Sequence, residues 1–131
     1  MANILIVDDE VNIIKMFKLT LEMLGHTVRS AAQGRAALAV YAQNADNIDL
    51  VISDLTMQPD MSGWELCAAL KDRVPVALTS GELIDENFLE KVLAAGAVGF
   101  LNKPADYAPD TLKKKLAEFL AQAAELKSGK A

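Results

Sequence analysis

Apolar residues along this chain follow two rhythms in alternation: short unbroken runs that stop at a polar residue, and longer stretches in which they return every three or four positions. Asn3 to Val7 (NILIV) is a β-branched run ending at Asp8-Asp9-Glu10, as a strand buried on both faces would read. From Val11 to Leu24 the positions Ile13, Ile14, Phe17, Leu21 and Leu24 keep helical spacing, and Gly25 supplies a stop. Thr27 to Ala31 predicts a second strand, Ala36 to Tyr41 a helix, and Asp49 to Ser53 (DLVIS) a third strand that halts at Asp54. After the turn-rich stretch Gln58 to Gly63, a helix over Trp64 to Lys71 precedes a fourth strand, Pro75 to Thr79, which ends at Ser80-Gly81. Phe88, Leu89, Val92 and Leu93 mark the next helix, which Gly96 closes, and Ala97 to Leu101 forms a fifth strand before Asn102-Lys103-Pro104.

A last helix begins near Asp110 and carries Leu112, Leu116, Phe119, Leu120 and Ala123 on its apolar face. Lys113 to Lys115 read as solvated charges at the edge of that face, and Lys127 to Ala131 as a frayed tail. Five strands alternating with five helices predict an α/β, doubly wound domain around a central parallel sheet, because parallel neighbours need right-handed crossover connections. Such sheets bind ligands beyond the carboxyl ends of their strands, where the winding order reverses.

Composition narrows the field without changing this picture. A length of 131 residues suits one domain, and 52% hydrophobic with 24% charged residues suits a soluble globular one. No apolar run approaches the roughly 18 residues that span a bilayer, and the first residues lack a secretory pattern, so the expected location is cytoplasmic, with no membrane partner. A net charge of −5 argues against direct nucleic-acid binding and for protein partners. The single cysteine, Cys67, reads as packing, His26 as a surface turn residue, and Trp64 as packing near the start of its helix.

The predicted strands end in Asp8 and Asp9, Asp54, Ser80 and Lys103, all on one edge of the sheet. If the first and third strands are neighbours, their carboxylates converge. At an effective dielectric near 20, two like charges about 4 Å apart repel by roughly 4 kcal/mol, so the cluster must bind a proton or a cation. Magnesium suits such a site: it takes oxygen ligands, keeps several waters and often completes its shell with phosphate. Lys103 would supply a fixed positive charge, Ser80 a hydroxyl donor, and Gly81 room for an anion to approach the backbone. Together these fit phosphoryl transfer onto a carboxylate.

Four motifs in this order, ILIVDDE at Ile4 to Glu10, DLVISDLTM at Asp49 to Met57, PVALTSG at Pro75 to Gly81 and AGAVGFLNKP at Ala95 to Pro104, resemble the receiver domain of two-component response regulators, the CheY-like superfamily. The resemblance implies a (βα)5 flavodoxin-like fold with strand order 2-1-3-4-5, a receiver over residues 1 to 126, a short tail over 127 to 131 and no output domain. It implies that Asp54 is the phosphoacceptor, that Asp8, Asp9, Asp54 and the backbone carbonyl of Thr56 hold Mg2+, with Mn2+ as a substitute, and that Lys103 contacts the phosphoryl group through a loop with a cis bond to Pro104. Ser80 and Phe100 become the switch pair, Thr56 and Glu82 tune the rate of hydrolysis, and the altered face is the fourth helix, fifth strand and fifth helix. The partners implied are a histidine kinase or phosphotransfer protein and a downstream protein effector, with phosphorylation-dependent homodimerisation as a further outcome. The protein would be no enzyme beyond catalysing its own phosphorylation and dephosphorylation.

Two departures stand out. Gln58 separates Met57 from Pro59, so that the glycine following the acceptor is Gly63, one residue later than the family pattern. Counting back from Gly96 instead of forward from Pro75 would put Thr79 in place of Ser80. Rival readings are a receiver fragment of a larger regulator, an aspartate-nucleophile phosphohydrolase, a flavodoxin-like cofactor binder and an unphosphorylated interaction module. Thr56 stands where the phosphohydrolase wants a second acid, and Asp8-Asp9-Glu10 would repel a cofactor phosphate unless a metal intervened.

Overall fold

The computed structural model describes residues 2–55, 61–81, 86–103 and 105–129, with the side chains of 86 and 123–129 outside that description. Strands β1 (Asn3–Val7), β2 (Thr27–Ala31), β3 (Leu50–Asp54), β4 (Val76–Ser80) and β5 (Gly99–Asn102) alternate with helices α1 (Val11–Met23), α2 (Gly34–Gln43), α3 (Gly63–Leu70), α4 (Glu86–Ala94) and α5 (Pro109–Gly129). All strand pairs are parallel, in the order β2-β1-β3-β4-β5, as expected. The winding therefore reverses between β1 and β3, which puts the crevice favoured by ligands at their carboxyl ends.

Alternation along the strands sorts the core into two layers. Leu5, Val7, Val51, Leu78 and Phe100 pack toward Ala37 and Tyr41 of α2, Leu66 and Cys67 of α3 and Val92 of α4. Ile4, Ile6, Ile52 and Leu101 pack toward Phe17 and Leu21 of α1 and Leu112, Leu116 and Phe119 of α5. Helices α1 and α4 stop at the glycines that the sequence predicts. Gly25 and Gly96 adopt φ of 96° and 95°, a conformation that costs glycine little, and His26 and Ala97 close the turns onto Leu21 and Val92.

Boundary differences matter most near the carboxyl edge. The ladder runs one residue past three predicted strand ends, because Asp54 pairs in register with Thr79 and Ser80 with Asn102. Asp54 and Ser80 are thus the last rungs of the sheet, held by its geometry, rather than loop residues beyond it. α5 continues through Gly129, so residues 127 to 129 are helical where a frayed tail is expected. Half of the apolar residues that mark α4 turn outward: Val92 is buried and Phe88 half-buried, but Leu89 and Leu93 are exposed. No helix among the described residues is long and apolar enough to cross a membrane.

Candidate functional site

β1 and β3 lie side by side with Val7 opposite Ser53, so Asp8, the first residue beyond β1, stands level with Asp54, the last residue of β3. Both are almost fully enclosed, at 4% and 7% exposure, and burying charge demands a partner. The partner comes from the far edge of the sheet: Lys103 Nζ donates to Asp8 Oδ2 at 2.5 Å and stands 3.3 Å from Asp54 Oδ1. Its backbone N donates to Ser80 O at 2.8 Å, fixing the base of the side chain to the end of β4.

One ammonium does not balance this edge. Carboxylate oxygens of Asp8, Asp9 and Glu10 all lie within 4.8 Å of one another, Asp9 and Glu10 facing solvent. The pKa of Asp54 is pushed up to about 6, first by burial and then by the charges of Asp8 and Asp9, against the pull of Lys103. For Lys103, burial favours the neutral amine, but its hydrogen bond to Asp8 and the charges of Asp8 and Asp54 outweigh that and hold the ammonium above its ordinary range. The donor set is all hard oxygen, crowded and anionic, with solvent on one side. That chemistry fits a hydrated divalent cation such as Mg2+. Glu10 is an acidic neighbour that the sequence reading leaves out, although it stands in the same run as Asp8 and Asp9.

The two hydroxyls at the end of β4 have different neighbours. Thr79 shares a hydrogen bond of 3.0 Å with the Tyr107 hydroxyl, whose ring stacks on Phe17 with centroids 4.0 Å apart. Burial above all drives the Tyr107 hydroxyl far up from its ordinary pKa, so it stays neutral. Ser80, 8% exposed, falls by strand alternation on the other face, with Leu78 and Phe100. The Phe100 ring meets Phe88 edge-on at 5.4 Å, and Phe88 meets Trp64 at 5.9 Å, a run of aromatic contacts from β5 through α4 to α3.

Gly63 explains itself by contact. A Cβ there would lie 2.2 Å from Asp54 O and 2.9 Å from the Leu55 Cα, and its N donates to Leu55 O at 2.9 Å. The glycine therefore packs on the backbone of Asp54 despite its later position in the sequence. The Ser62 hydroxyl and the Glu65 carboxylate then cap α3 reciprocally, each accepting from the other's backbone N–H. Thr56, Gln58, Glu82 and the bond to Pro104 lie outside the described residues.

One surface reading needs correction, and the turn residue His26 gains a partner. Lys115 is not simply solvated: its Nζ donates to Asp106 Oδ2 at 3.0 Å and to Phe100 O at 3.3 Å, because the turn after β5 brings Asp106 beneath α5. Half-buried His26 accepts from the Ala2 N at 3.1 Å through Nδ1, and burial, then a nearby positive charge at the N-terminus, lower its pKa, which keeps that nitrogen free to accept. Cys67 is buried and donates weakly to Ala95 O, in keeping with a packing role.

Comparison with known proteins gives this edge its context. Residues 4–117 match the family of response regulator receiver domains. The chain is 32% identical over 122 residues to a probable transcriptional regulator, ycf27, of Cyanidium caldarium, covering 90% of this chain and 46% of that protein. It is 33% identical over 126 residues to the transcriptional regulatory protein GlrR of Escherichia coli, covering 94% of this chain and 27% of that one. It therefore spans less than half the length of these curated relatives. Among solved structures, the chemotaxis response regulator CheY4 of Vibrio cholerae superposes with a TM-score of 0.78 at 35% identity, covering 91% of this chain and 98% of that one. With its parallel sheet in the order 2-1-3-4-5 and a match that covers most of its length, the chain belongs to the receiver domain family of two-component response regulators.

Proposed function

We propose that Asp54 accepts a phosphoryl group from a phosphohistidine of a partner histidine kinase or phosphotransfer protein, and that the modified domain then signals to a downstream protein effector. The observation that carries this reading is the meeting of Asp8, Asp54 and the Lys103 ammonium, drawn from three strand ends, in one enclosed site. In the first step an Asp54 carboxylate oxygen attacks phosphorus, the bond from phosphorus to the histidine nitrogen breaks, and the imidazole takes a proton. In the second, water attacks phosphorus and returns the carboxylate and inorganic phosphate. Asp8 and Asp9, with Asp54 and the Thr56 carbonyl, would hold Mg2+, whose charge offsets the negative charge gathering on the transferring oxygens. Lys103 keeps its ammonium against the site and can follow the new phosphoryl oxygens, while Asp8 anchors it from behind. Thr56 and Glu82 tune hydrolysis by their size and polarity. These steps make the domain its own catalyst and no enzyme in any wider sense.

Ser80 is the switch hydroxyl in preference to Thr79, since Ser80 shares a sheet face with Phe100 whereas Thr79 lies on the opposite face against Tyr107. Phosphorylation adds roughly −1.5 to −2 charges, draws Ser80 and Lys103 toward them, and shifts the packing of Phe100 against α4. The exposed Leu89 and Leu93 on α4 make that helix, β5 and α5 the readout face, for an effector or for a second phosphorylated copy.

Incubation with Mg2+ and acetyl phosphate tests the reading. Wild type should gain one phosphoryl group and Asp54→Asn none. Equal labelling of the two would defeat the assignment, and steady turnover of phosphomonoesters would favour the phosphohydrolase reading.

A further inference from the structure

The catalytic reach of Lys103 depends on where its backbone stands, and β5 gives it no second neighbouring strand, because it is an edge of the sheet. The register with β4 is unbroken from Gly99 to Asn102, and Lys103 N then donates to Ser80 O. Alternate N–H groups of a strand point to opposite sides, so on an edge strand every second one faces away from the sheet and needs another acceptor. The Asn102 N–H, on that open side, is donated to a side chain, Asp106 Oδ2, at 2.8 Å.

That carboxylate oxygen takes a second bond. Lys115 Nζ, from the second turn of α5, donates to the same Asp106 Oδ2 at 3.0 Å and to Phe100 O at 3.3 Å. Asp106 and Lys115 together therefore hold β5 at two points, before and at its last residue, directly ahead of Lys103. Both are partly shielded, with side chains 19% and 33% exposed, so the pair is more than a solvated surface bridge.

We propose that Asp106 and Lys115 are positioning residues for phosphoryl transfer: they fix the carboxyl end of the edge strand β5 so that the Lys103 ammonium reaches Asp8 and Asp54, and they tie that lysine mechanically to α5. The proposal rests on the reading of Asp54 as phosphoacceptor. Because small misplacements of a charged group at a reacting centre cost rate steeply, Asp106→Ala should slow phosphorylation by acetyl phosphate roughly tenfold. Asp106→Asn, which keeps an oxygen for the Asn102 N–H, should recover part of the loss. Lys115→Met should act in the same direction and Lys115→Arg should restore the wild-type rate.

The decisive comparison repeats Asp106→Ala and Lys115→Met in a Lys103→Met background, with phosphorylation counted by intact mass over long incubations. If these residues act through Lys103, the further loss there disappears. A loss of the same factor with Lys103 absent, or wild-type rates for both single variants, would overturn the proposal. If Asp106→Ala does not fold, the Lys115→Met and Lys115→Arg pair separates the same two outcomes. Failure of wild type itself to label would instead refute the phosphoacceptor reading beneath it.

Discussion

The body of the sheet and the row of side chains at its carboxyl edge are buried alike, yet opposite forces hold them. Val7 and Ile52 are 1% exposed, and one or two residues later Asp8 and Asp54 are 4% and 7% exposed. In the body, burial itself stabilises, at about 25 cal/mol for each Å² of apolar surface removed from water. At the edge the same burial costs free energy, which a single lysine offsets only in part, and the raised pKa of Asp54 reports the remainder. A parallel sheet can thus place a crowded, anionic site on a rigid support within a single residue of its core.

The largest effect should come from breaking the body. Leu78 is fully enclosed between β3, β5 and the layer of α2 to α4, so Leu78→Ala should cost about 3 kcal/mol of unfolding free energy in urea titrations. Next comes the junction of body and edge: Gly63→Ala drives a Cβ into the Asp54 carbonyl and should cost about 2 kcal/mol, with phosphorylation slowed as Asp54 is displaced.

At the edge itself the sign reverses. In metal-free protein Asp54→Asn should stabilise the fold by about 2 kcal/mol above pH 6, since it removes a charge that the folded site disfavours. Asp54 has a folded pKa of about 6 against an ordinary 3.8. Its contribution to stability is therefore whole below the lower value, declines as pH rises between the two, and is lost above the higher one. The difference between wild type and Asp54→Asn should open across that window, and parallel stability curves would contradict it. The same proton competes with a cation, so Mg2+ affinity should weaken as pH falls through about 6. The smallest effect is optical: Trp64 is the chain's one tryptophan, and its emission should shift on phosphorylation through Phe88 and Phe100. Phe88→Leu should remove that shift while labelling persists.

Much of this edge is legible in the sequence because each strand of a parallel sheet must end in the same place. Apolar runs that stop at Asp8, Asp54, Ser80 and Lys103 therefore predict a common site once the strands are ordered. The strand bounds move by one or two residues because a ladder ends where its partner ends, and no strand's own sequence carries its partner's length. Lys115 is misread for a related reason: three consecutive lysines look alike, and only the turn that carries Asp106 under α5 separates one of them from solvent. The contact between Tyr107 and Thr79 also lies beyond sequence patterning, since it joins a 3-10 turn (Ala105–Tyr107) to a strand 28 residues earlier.

Chemical trapping tests the role of Asp54 most directly. Protein treated with acetyl phosphate and Mg2+ is reduced with borohydride, which converts an aspartyl phosphate to homoserine, and the modified position is read from peptide fragments. Homoserine is expected at residue 54 alone. Homoserine at residue 8 or 9, with residue 54 intact, would contradict the assignment.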